Sequence, residues 1–495
     1  MLVEISKKDI LSRLQFDNPW WEQGKQGKIV YEDKPRRKYF EPFYQNILDV
    51  SVRRAIVLMG PRRVGKTVMV YHGIRALLDS GIDEKNILYI SLETPTYTGL
   101  PLEKILSYFQ ELFSHGRDAK LFVFFDEIQY LRNWEVHLKS LVDSFPDYRF
   151  VATGSAAAAL RLKSIESGAG RFSDYILPPL TFAEYLMFID RETELITTTL
   201  IEEPTPEPYK YSAPNIEALN EEFVNYLNFG GYPEAVFSET IRQDPGQYIK
   251  SDIIDKVLLR DLPSLYGISD IQELNRLFTT LAYNSGNEVS LDGLSKSSGV
   301  AKNTIKRYLE YLEAAFLIRR VERIDQNAKR FKRAMCFKVY LTNPSMRAAL
   351  FGQLKAEDKA MGEMTETAIF SQWQHSRIME LYYARWNSGE IDIVYLDLAH
   401  QSPLWVVEVK WSDRPYKSHS ELENCIEFVK KNPYISPPVV VTSRTIADDK
   451  FLYKGVQFDF VPASLYAYAL GANLLRHIDE KVQLRSAPKL NPPIV

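Results

Sequence analysis

The chain has 495 residues, a formal net charge of −3, 45% hydrophobic residues and 25% charged residues. A chain of this length is too long to fold around a single hydrophobic core. The length therefore predicts roughly three domains of ~100–200 residues each. The composition is typical of an ordinary soluble globular protein. The overall charge says nothing about nucleic acid, so any basic surface has to be local.

Cysteine usage and hydropathy exclude several classes of protein. Cys336 and Cys425 are far apart in apolar or helical surroundings, which favours buried free thiols in a reducing cytoplasm over a disulfide framework or a zinc site. The seven histidines have no metal-ligand spacing. No apolar run approaches ~18 residues and the N-terminus lacks an apolar signal segment, so we expect a cytoplasmic protein without a membrane span.

Residues 1–50 are interpreted as an N-terminal extension. Within it, Asn18–Trp21 (NPWW) has the character of a rigid apolar plug, which we expect to pack on the domain that follows. An alternative concerns Arg36, Arg37 and Tyr39, which lie shortly before the motif described next. In this alternative, the three residues border the pocket for the ligand that the next motif binds.

Residues 55–70, AIVLMGPRRVGKTVMV, place a strand, a loop and a helix start in the order that a phosphate-binding site needs. Ala55–Met59 is an apolar run typical of a buried parallel strand, and the loop after it satisfies GxxxxGK(S/T). Glycines let the backbone approach phosphates closely, while N–H groups and the helix N-terminus supply partial positive charge. Lys66 would bridge the β- and γ-phosphates of a nucleoside triphosphate and the Thr67 hydroxyl would ligate Mg²⁺. In the alternative for Arg36, Arg37 and Tyr39, the pocket they border would hold adenine. The predicted nucleotide-contacting residues are Gly60, Pro61, Arg62, Arg63, Val64, Gly65, Lys66 and Thr67.

A second signal ends another apolar strand, LFVFFDEIQ. Leu121–Phe125 is followed by Asp126 and Glu127, sixty positions after Lys66. A carboxylate at the C-terminal end of a buried strand beside the phosphate loop can hold Mg²⁺ through water, which is the role we assign to Asp126. Glu127 would orient and deprotonate the attacking water. An isolated Asp-Glu pair is more often a solvated turn, but its pairing with the loop favours the catalytic role.

Two further segments follow. The strand YRFVATGSA ends in Thr153–Ser155, where Ser155 could touch the γ-phosphate or the attacking water. Arg171 follows in SGAGRFSDYILPPL, whose end is a predicted fifth strand. A positive charge near the γ-phosphate contributes strongly to phosphoryl transfer. The sequence leaves three alternatives for Arg171: its own site, the site of a neighbouring subunit, or a surface ion pair.

Together these motifs resemble a known family. The order GPRRVGKT, FFDEIQYLRNWE, TGSA, GR and PLTFAEYL, followed by FGGYPEA and LRDLP, is similar to that of prokaryotic AAA+ ATPases whose C-terminal half is a domain of unknown function. The resemblance implies a five-stranded AAA+ core over residues 51–180, with the acidic pair as Walker B and Thr153–Ser155 in the sensor position. It also makes a homo-oligomer, as a ring or a nucleotide-dependent assembly, one expectation. Residues 181–265 are interpreted as a helical lid with a surface insertion at 197–215.

Residues 266–345 have the order helix, helix, helix, hairpin, which is typical of a winged helix. On the third helix we expect a core face of Val300, Tyr308, Leu309 and Leu312, and an exposed face of Lys302, Asn303, Lys306 and Arg307. Between Lys302 and Lys338, eleven basic residues stand against four acidic ones. Such an excess is the footprint of phosphate-backbone contact and predicts nucleic acid as a partner. The competing interpretation is a protein contact that relays nucleotide state.

Residues 346–485 carry a second group of chemically active residue types. A helix over EMTETAIFSQWQ holds Glu366, and a hairpin of LYYARW and EIDIVYL holds Asp392. The following strand, LWVVEVKW, holds Glu408 and Lys410. Alternate side chains of a strand share a face, so the three carboxylates and the lysine can meet on one face.

This arrangement resembles the PD-(D/E)xK nuclease superfamily. The resemblance implies that Asp392 and Glu408 hold Mg²⁺, that Lys410 positions or activates the attacking water, and that Glu366 supports the metal from its helix. A lone ExK on a strand is usually a solvent-facing charge pair, and superfamily members with degenerate sites exist. Cleavage and an inactive scaffold therefore both stay open. Residues 486–495 are a predicted tail.

The predicted fold class is therefore α/β and multidomain. It comprises a P-loop AAA+ core with a parallel sheet, a helical lid, a winged helix and an α/β restriction-endonuclease-like domain. The first hypothesis for function is an ATP-dependent enzyme that acts on nucleic acid, in which nucleotide state controls a magnesium-dependent nuclease-like domain. The second hypothesis is a nucleotide-controlled switch or assembly protein, in which the C-terminal domains bind proteins and nothing is cut.

Overall fold

The computed structural model describes residues 6–155, 170–201, 209–330, 336–376, 379–397, 400–447 and 449–480. The chain divides into two units, one over Met1–Pro178 and the other over Pro179–Val495. Each unit is built on its own main sheet. Within the described ranges, no helix has the combination of length and hydropathy that crossing a membrane requires.

A five-stranded parallel sheet organises the first unit. Its strands are β1 (Ala55–Met59), β2 (Ile87–Ser91), β3 (Phe122–Asp126), β4 (Arg149–Gly154) and β5 (Phe172–Ile176). All pairings are parallel, and the order across the sheet is β2-β3-β4-β1-β5. The α-helices are α1 (Lys7–Asp17), α2 (Trp20–Gln23), α3 (Phe40–Leu48), α4 (Lys66–Asp79), α5 (Leu102–Phe113) and α6 (Trp134–Ser144). Short 3-10 helices cover Glu84–Asn86, Pro95–Tyr97 and Ile128–Tyr130.

Burial explains the composition of these strands. Every residue of β1 and of β3 is buried, as expected for a parallel sheet that is covered on both faces. Such strands are continuous apolar runs, whereas a half-exposed strand would alternate apolar and polar residues. The predicted parallel α/β core is confirmed.

The N-terminal extension covers the edge of this sheet at β2. The Asn18 side chain donates to the carbonyl of Tyr89 (2.8 Å) and accepts from the N–H of Tyr89 (2.6 Å), so it pairs with β2 as a neighbouring strand would. The indole N–H groups of Trp20 and Trp21 both donate to the carbonyl of Ile87, at 3.2 and 2.8 Å. Unpaired edge strands invite non-native pairing, and these contacts occupy the edge. The predicted packing of the NPWW segment on the following domain is confirmed.

The second unit begins with helices and continues into a large sheet. Its α-helices are α7 (Phe182–Phe188), α8 (Glu192–Leu195), α9 (Ile216–Asn225), α10 (Pro233–Phe237), α11 (Glu239–Gln243), α12 (Pro245–Ile249), α13 (Leu262–Tyr266), α14 (Ile271–Tyr283), α15 (Leu291–Ser298), α16 (Lys302–Ala314), α17 (Ser345–Phe351), α18 (Met361–Trp373), α19 (Arg414–Lys417), α20 (Glu423–Lys431) and α21 (Ala463–Glu480). A 3-10 helix covers His419–Leu422, and π-helical turns cover Tyr226–Gly230, Lys250–Asp255 and Val257–Asp261. The predicted insertion at 197–215 contains an antiparallel hairpin of β6 (Thr197–Leu200) and β7 (Tyr209–Ser212).

A nine-stranded mixed sheet dominates the second unit. Its strands are β8 (Glu288–Ser290), β9 (Ile318–Ile324), β10 (Cys336–Leu341), β11 (Leu381–Arg385), β12 (Glu390–Asp397), β13 (Ser402–Glu408), β14 (Val439–Ser443), β15 (Asp449–Tyr453) and β16 (Val456–Pro462). Their order is β15-β16-β14-β13-β12-β11-β9-β10-β8. Strands β9 and β11 pair in parallel, with Glu322 opposite Tyr382. The predicted boundary at 345/346 therefore does not separate two sheets, because the hairpin assigned to the winged helix continues into the sheet assigned to the next domain.

Helix capping and burial before this hairpin follow the sequence signals. Ser290 caps α15 by accepting from the N–H of Gly293 (3.0 Å), and Gly299 follows the helix with a φ of 74°. The predicted core face around α16 is buried, and its predicted polar face is exposed. Both Cys336 and Cys425 are free thiols, as predicted, and Cys425 is buried.

Candidate functional site

Two strands of the first sheet bring the predicted nucleotide residues to one edge. Strand β1 ends at Met59, directly before the GxxxxGKT loop, and β3 ends at Asp126. Strand β4 lies between them and is parallel to both, so all three carboxyl ends lie at the same edge of the sheet. In open parallel sheets, ligands bind outside the carboxyl ends of the strands.

The loop requires glycine at two positions. A Cβ on Gly60 would lie 2.2 Å from the carbonyl oxygen of Leu177, and this contact is with backbone that cannot easily move away. Gly65 has a φ of 95°, a conformation that residues with a side chain rarely adopt. The structure therefore explains why both of these positions of the motif require glycine.

Arg37 of the N-terminal extension supports the loop. Its guanidinium donates to the carbonyl of Val64 (3.0 Å) and, through two nitrogens, to the carbonyl of Pro178 (3.1 Å each). Arg37 is buried, whereas Arg36 is exposed with its guanidinium 4.3 Å from the ring centroid of Phe40. Arg37 thus lies beside the loop, where the sequence interpretation placed it. Its contact with adenine stays a prediction.

Three hydroxyl groups surround the carboxylate of Asp126. Thr67 and Tyr89 each donate to Oδ2 at 2.9 Å, and Thr153 donates to Oδ1. Burial, and after it the charge of Glu127, raise the pKa of Asp126 above its ordinary value, although the three hydroxyl bonds oppose this. Since these donors are neutral, they leave the negative charge of the site available to a cation.

Glu127 is fixed by its backbone and by its neighbours. It has a φ of 53°, which is uncommon for a residue other than glycine and often marks a functional position. Its N–H donates to the Thr153 hydroxyl (3.1 Å), and its Oε2 accepts from the Gln129 amide and from the Ser155 hydroxyl, the latter at 3.4 Å. Gln129 also donates to Ser155 (3.1 Å). The Thr153 hydroxyl therefore joins the two acidic residues, and Ser155 lies beside the second of them.

Lys66 and Thr67 begin helix α4. The buried ammonium of Lys66 donates to the carbonyls of Gly60 (3.1 Å) and Pro61 (2.7 Å), so it lies against its own loop. The Thr67 hydroxyl and the buried Asp126 carboxylate are in contact at the edge of the sheet where Lys66 begins its helix, and magnesium prefers oxygen ligands such as these two. This set of groups fits a nucleoside triphosphate with a magnesium ion held by Thr67 and Asp126.

The arginines assigned to the nucleotide occupy different places. Arg62 and Arg63 belong to the loop, where Arg62 is half-buried and Arg63 exposed. Arg171 instead precedes β5, and its carbonyl accepts from the N–H of Ala55 at the start of β1 (2.9 Å). The loop follows the other end of β1, so Arg171 lies at the opposite edge, where its side chain pairs with Asp143. Of the three alternatives for Arg171, this position argues against the nucleotide site of its own chain, and the surface ion pair with Asp143 is present. A role in the nucleotide site of a neighbouring subunit stays a prediction.

Tyr89 and Gln129 contact the acidic pair but were not predicted. The ring of Tyr89 lies 4.8 Å from that of Tyr71, and burial raises the pKa of Tyr71 to about 12 and the pKa of Tyr89 well above its ordinary value. Both phenols therefore stay protonated and can donate. A tyrosine in a buried strand is common and carries no motif. Gln129 offered a weak signal, because it is a polar residue two positions after Glu127.

A second group of charged side chains lies in the nine-stranded sheet. The Lys410 ammonium is 3.3 Å from Oδ2 of Asp392 on β12 and 2.6 Å from Oε1 of Glu408 on β13. The N–H of Val409 also donates to Oδ2 of Asp392 (2.9 Å). These three charged residues share one face of the sheet, as the alternation of side chains predicted.

Glu366 of α18 belongs to the same cluster. Its charged partner is Lys338, which the sequence analysis counted among the basic residues that contact nucleic acid. The ammonium of Lys338 on β10 lies 2.8 Å from Oε1 of Glu366, 2.6 Å from Oε1 of Glu390 and 3.5 Å from Oδ1 of Asp392. Only 3% of the Lys338 side chain is exposed. The Tyr340 hydroxyl donates to Glu366 Oε1 at 2.5 Å. Lys338 therefore has to be removed from the basic residues offered to nucleic acid, because it is buried among carboxylates.

These charges shift one another's pKa values. Burial, opposed by Lys338, raises the pKa of Glu366 to about 7, and burial together with Asp392 raises the pKa of Glu408 to about 7. Burial also acts on Asp392, but Lys410 and Lys338 outweigh it and lower the pKa of this carboxyl. Burial alone would lower the pKa values of both lysines, yet the surrounding carboxylates raise them, so both ammonium groups stay charged.

The predicted magnesium site at Asp392 and Glu408 does not fit this arrangement. Each oxygen of Asp392 faces a lysine, and Oε1 of Glu408 contacts Lys410. Oε2 of Glu408 is buried with no hydrogen-bond partner among the described residues, but one free oxygen is far short of the octahedral shell of magnesium. Across the described ranges, no group of three or more His, Cys, Asp and Glu side chains is placed to hold a metal ion.

Comparison with known proteins supports the assignment of the first unit. Residues 52–186 match a family described as an AAA domain, and residues 220–357 match a domain of unknown function, DUF8612. An uncharacterized protein of Haemophilus influenzae is 25% identical over 365 residues, which are 70% of this chain and 82% of that protein. An uncharacterized protein of Methanocaldococcus jannaschii is 24% identical over 400 residues, which are 79% of this chain and 80% of that protein.

One solved structure adds a distant likeness. AMPPCP-bound DnaA from Aquifex aeolicus aligns with 59% of this chain and 92% of its own, at 11% identity and a TM-score of 0.29. A TM-score this low carries no argument about this chain. The family match over residues 52–186 does support the assignment, because it covers the phosphate loop, the acidic pair and all five strands of the first sheet. Residues 52–186 of this chain are therefore similar to an AAA domain, and the similarity includes both motifs of the predicted nucleotide site.

Proposed function

We propose that this chain binds and hydrolyses ATP, with magnesium, in the crevice at the carboxyl ends of β1, β3 and β4. The observation that carries the proposal is a continuous chain of hydrogen bonds. It runs from the Thr67 hydroxyl through the Asp126 carboxylate and the Thr153 hydroxyl to the backbone of Glu127. This chain connects the end of the phosphate loop with the residue placed to act on water.

Each residue of the crevice has a distinct task in this proposal. Thr67 and Asp126 would hold the magnesium ion, which supplies positive charge to the phosphates when it is bound. Lys66 would exchange the carbonyls of its loop for phosphate oxygens. The Glu127 carboxylate would accept a proton from the attacking water. Ser155, which donates to Glu127, would report the presence of the γ-phosphate by changing partner.

Steady-state ATP hydrolysis by the full chain tests this proposal. Lys66→Ala should abolish ATP binding, whereas Glu127→Gln should retain bound ATP and slow turnover by about 100-fold or more, because the general base is lost. Asp143→Asn is the control, since it neutralises a carboxylate at the opposite edge of the sheet and should leave turnover unchanged. Unaltered turnover in Glu127→Gln would remove the proposed role of that residue.

We propose further that the chain binds nucleic acid through the exposed face of α16. Lys306 and Arg307 are exposed on this helix, on the side away from the buried Leu309. Several other basic residues of the region are engaged by acidic neighbours and contribute less. The pairs are Lys302–Asp292, Arg320–Glu313, Arg323–Glu288 and Arg330–Glu322. Among the described residues, the basic surface is therefore smaller than the sequence count and is centred on Lys306 and Arg307, whereas Lys332 and Arg333 lie outside the described residues.

Fluorescence anisotropy with labelled DNA, measured across a salt series, tests this surface. Lys306→Ala/Arg307→Ala should weaken binding of all sequences alike and reduce the salt dependence by about one unit of slope per lost phosphate contact. Arg276→Ala, which removes an exposed arginine from α14, is the control and should leave both quantities unchanged. Binding that is insensitive to salt would exclude the surface.

For the C-terminal part of the chain, the geometry favours a scaffold over a nuclease. The carboxylates that would hold magnesium are engaged by lysines, so the second hypothesis accounts for them without a metal. Plasmid and single-stranded DNA incubated with the full chain and Mg²⁺ should stay intact. Metal-dependent cleavage that disappears in Asp392→Ala and in Lys410→Ala would restore the nuclease hypothesis.

A further inference from the structure

We infer that Lys338 is a built-in cation that takes the place of a divalent metal ion in the carboxylate cluster of Glu366, Glu390, Asp392 and Glu408. The inference concerns a site in the second unit and does not depend on ATP hydrolysis. It explains why a group of carboxylates that resembles a metal-dependent nuclease site is arranged around ammonium groups. It also assigns a role to a residue that lies outside the ExK motif.

The contacts of Lys338 are those of a central counter-ion. Its ammonium lies within 2.6 to 3.5 Å of an oxygen from each of Glu366, Glu390 and Asp392, which come from one helix and one strand. It also lies 5.4 Å from the ring centroid of Tyr383, a distance at which a cation and an aromatic face attract. Within the described part of the chain, Lys338 is thus the one side chain that contacts all three carboxylates, while Lys410 and Arg385 each contact one of them.

A metal ion cannot join this arrangement without displacing the lysine. Magnesium and manganese bind carboxylate oxygens at about 2.1 Å, so an ion shared by Glu366 and Asp392 would occupy the same space as the Lys338 ammonium. Displacing Lys338 would leave a buried charge without partners, which is strongly unfavourable. Because the lysine is tethered to β10, it competes with a dissolved ion at a high effective concentration.

Lys410 contributes less to the exclusion of a metal ion than Lys338 does, because its surroundings differ. Its side chain is 32% exposed, against 3% for Lys338, and it contacts Asp392 and Glu408 from the end of β13. A half-buried lysine at the end of a strand can shift towards water more easily than one that is enclosed. Removal of Lys338 should therefore be sufficient to create a metal site, in which the unpartnered Oε2 of Glu408 becomes available as a ligand.

Manganese binding to the full chain without nucleotide tests the inference, with free Mn²⁺ measured by electron paramagnetic resonance. Wild type and Asp392→Asn should bind the same number of ions, because the cluster holds none. Lys338→Gln should bind one additional ion per chain, and Lys338→Gln/Asp392→Asn should lose it. Lys338→Arg keeps the positive charge and should match wild type. Any ion at the nucleotide site is common to all variants and cancels in these differences.

Two results would overturn the inference. One is a wild-type chain that loses one bound Mn²⁺ on Asp392→Asn substitution, since this shows that the cluster holds metal with Lys338 in place. The other is a folded Lys338→Gln variant, with the melting temperature and near-ultraviolet dichroism of a native chain, that gains no ion. If Lys338→Gln does not fold, the comparison of wild type with Asp392→Asn decides alone. Nucleotide is absent throughout, so failure here leaves the proposal of ATP hydrolysis untouched.

Discussion

Arg37→Met is expected to destabilise the first unit and to weaken ATP binding, although Arg37 lies outside every nucleotide-binding motif. Methionine keeps the apolar part of the side chain and removes the guanidinium. The carbonyls of Val64 and Pro178 then lose three hydrogen bonds from a charged donor. Val64 belongs to the phosphate loop, so the loss acts directly on the conformation that holds phosphates.

The magnitude follows from the two carbonyls left without this donor. An unsatisfied buried polar group costs about 1–3 kcal/mol, so the two together give about 2–6 kcal/mol. In a unit of this size, 1 kcal/mol shifts the melting temperature by about 2–4 °C. We therefore expect the melting temperature to fall by about 4–24 °C. If about 1.4 kcal/mol of the loss acts on the loop, the dissociation constant of ATP rises about tenfold.

The neighbouring arginine provides a matched control. Arg36 has the same charge but is exposed against the ring of Phe40, so Arg36→Met should cost less than about 1 kcal/mol. Thermal denaturation with and without magnesium and ATP measures stability, and isothermal titration calorimetry measures ATP binding. Equal melting temperatures for Arg36→Met and Arg37→Met would refute the reasoning, because burial and the carbonyl contacts are what distinguish the two residues.

Three further predictions concern the first unit. Gly60→Ala should lower the melting temperature and abolish ATP binding, because its Cβ would lie 2.2 Å from the Leu177 carbonyl oxygen; wild-type ATP affinity would contradict this. Thr153→Val removes the hydroxyl that joins the two acidic residues and should slow ATP turnover by about tenfold or more while ATP affinity changes little, since a hydrogen bond to a charged group is worth about 1.5–3 kcal/mol. Burial lowers the pKa of His72, so its contribution to stability is present above about pH 6.5 and is lost as the pH falls through the lowered value. The melting temperature of wild type should accordingly fall more between pH 7 and pH 5 than that of His72→Gln, and equal decreases would exclude this residue as a cause.

The first unit was predictable because its signals are local. A buried parallel strand is a short apolar run, and β1 and β3 each end directly in a polar motif. Parallel strands present their carboxyl ends at one edge, so the loop and the acidic pair had to meet if both strands entered one sheet. The contacts of Tyr89 and Arg37 were not predictable, since they depend on which side chains point into the crevice and not on any spacing along the chain.

The position of Arg171 could have been restricted from the sequence. In a parallel sheet, the residue that precedes a strand lies at the amino edge, opposite the loops that bind ligands. Arg171 directly precedes β5, which pairs in parallel with β1. The predicted fifth strand therefore already conflicted with a role for Arg171 in the nucleotide site of its own chain. Topology excludes that alternative without any side-chain information.

The continuous sheet of the second unit could not be predicted from local sequence signals, because any exposed strand edge can pair with a further strand. The pairing of β9 with β11 has a mechanical consequence inside this unit. A movement of the β9–β10 hairpin relative to β12 would break that pairing and would separate Lys338 from Glu390 and Asp392. Leaving those charges buried and unpaired is costly, so the hairpin and the carboxylate cluster should move together. The hairpin that follows α16 is therefore coupled to the carboxylate cluster through Lys338 and through the pairing of β9 with β11.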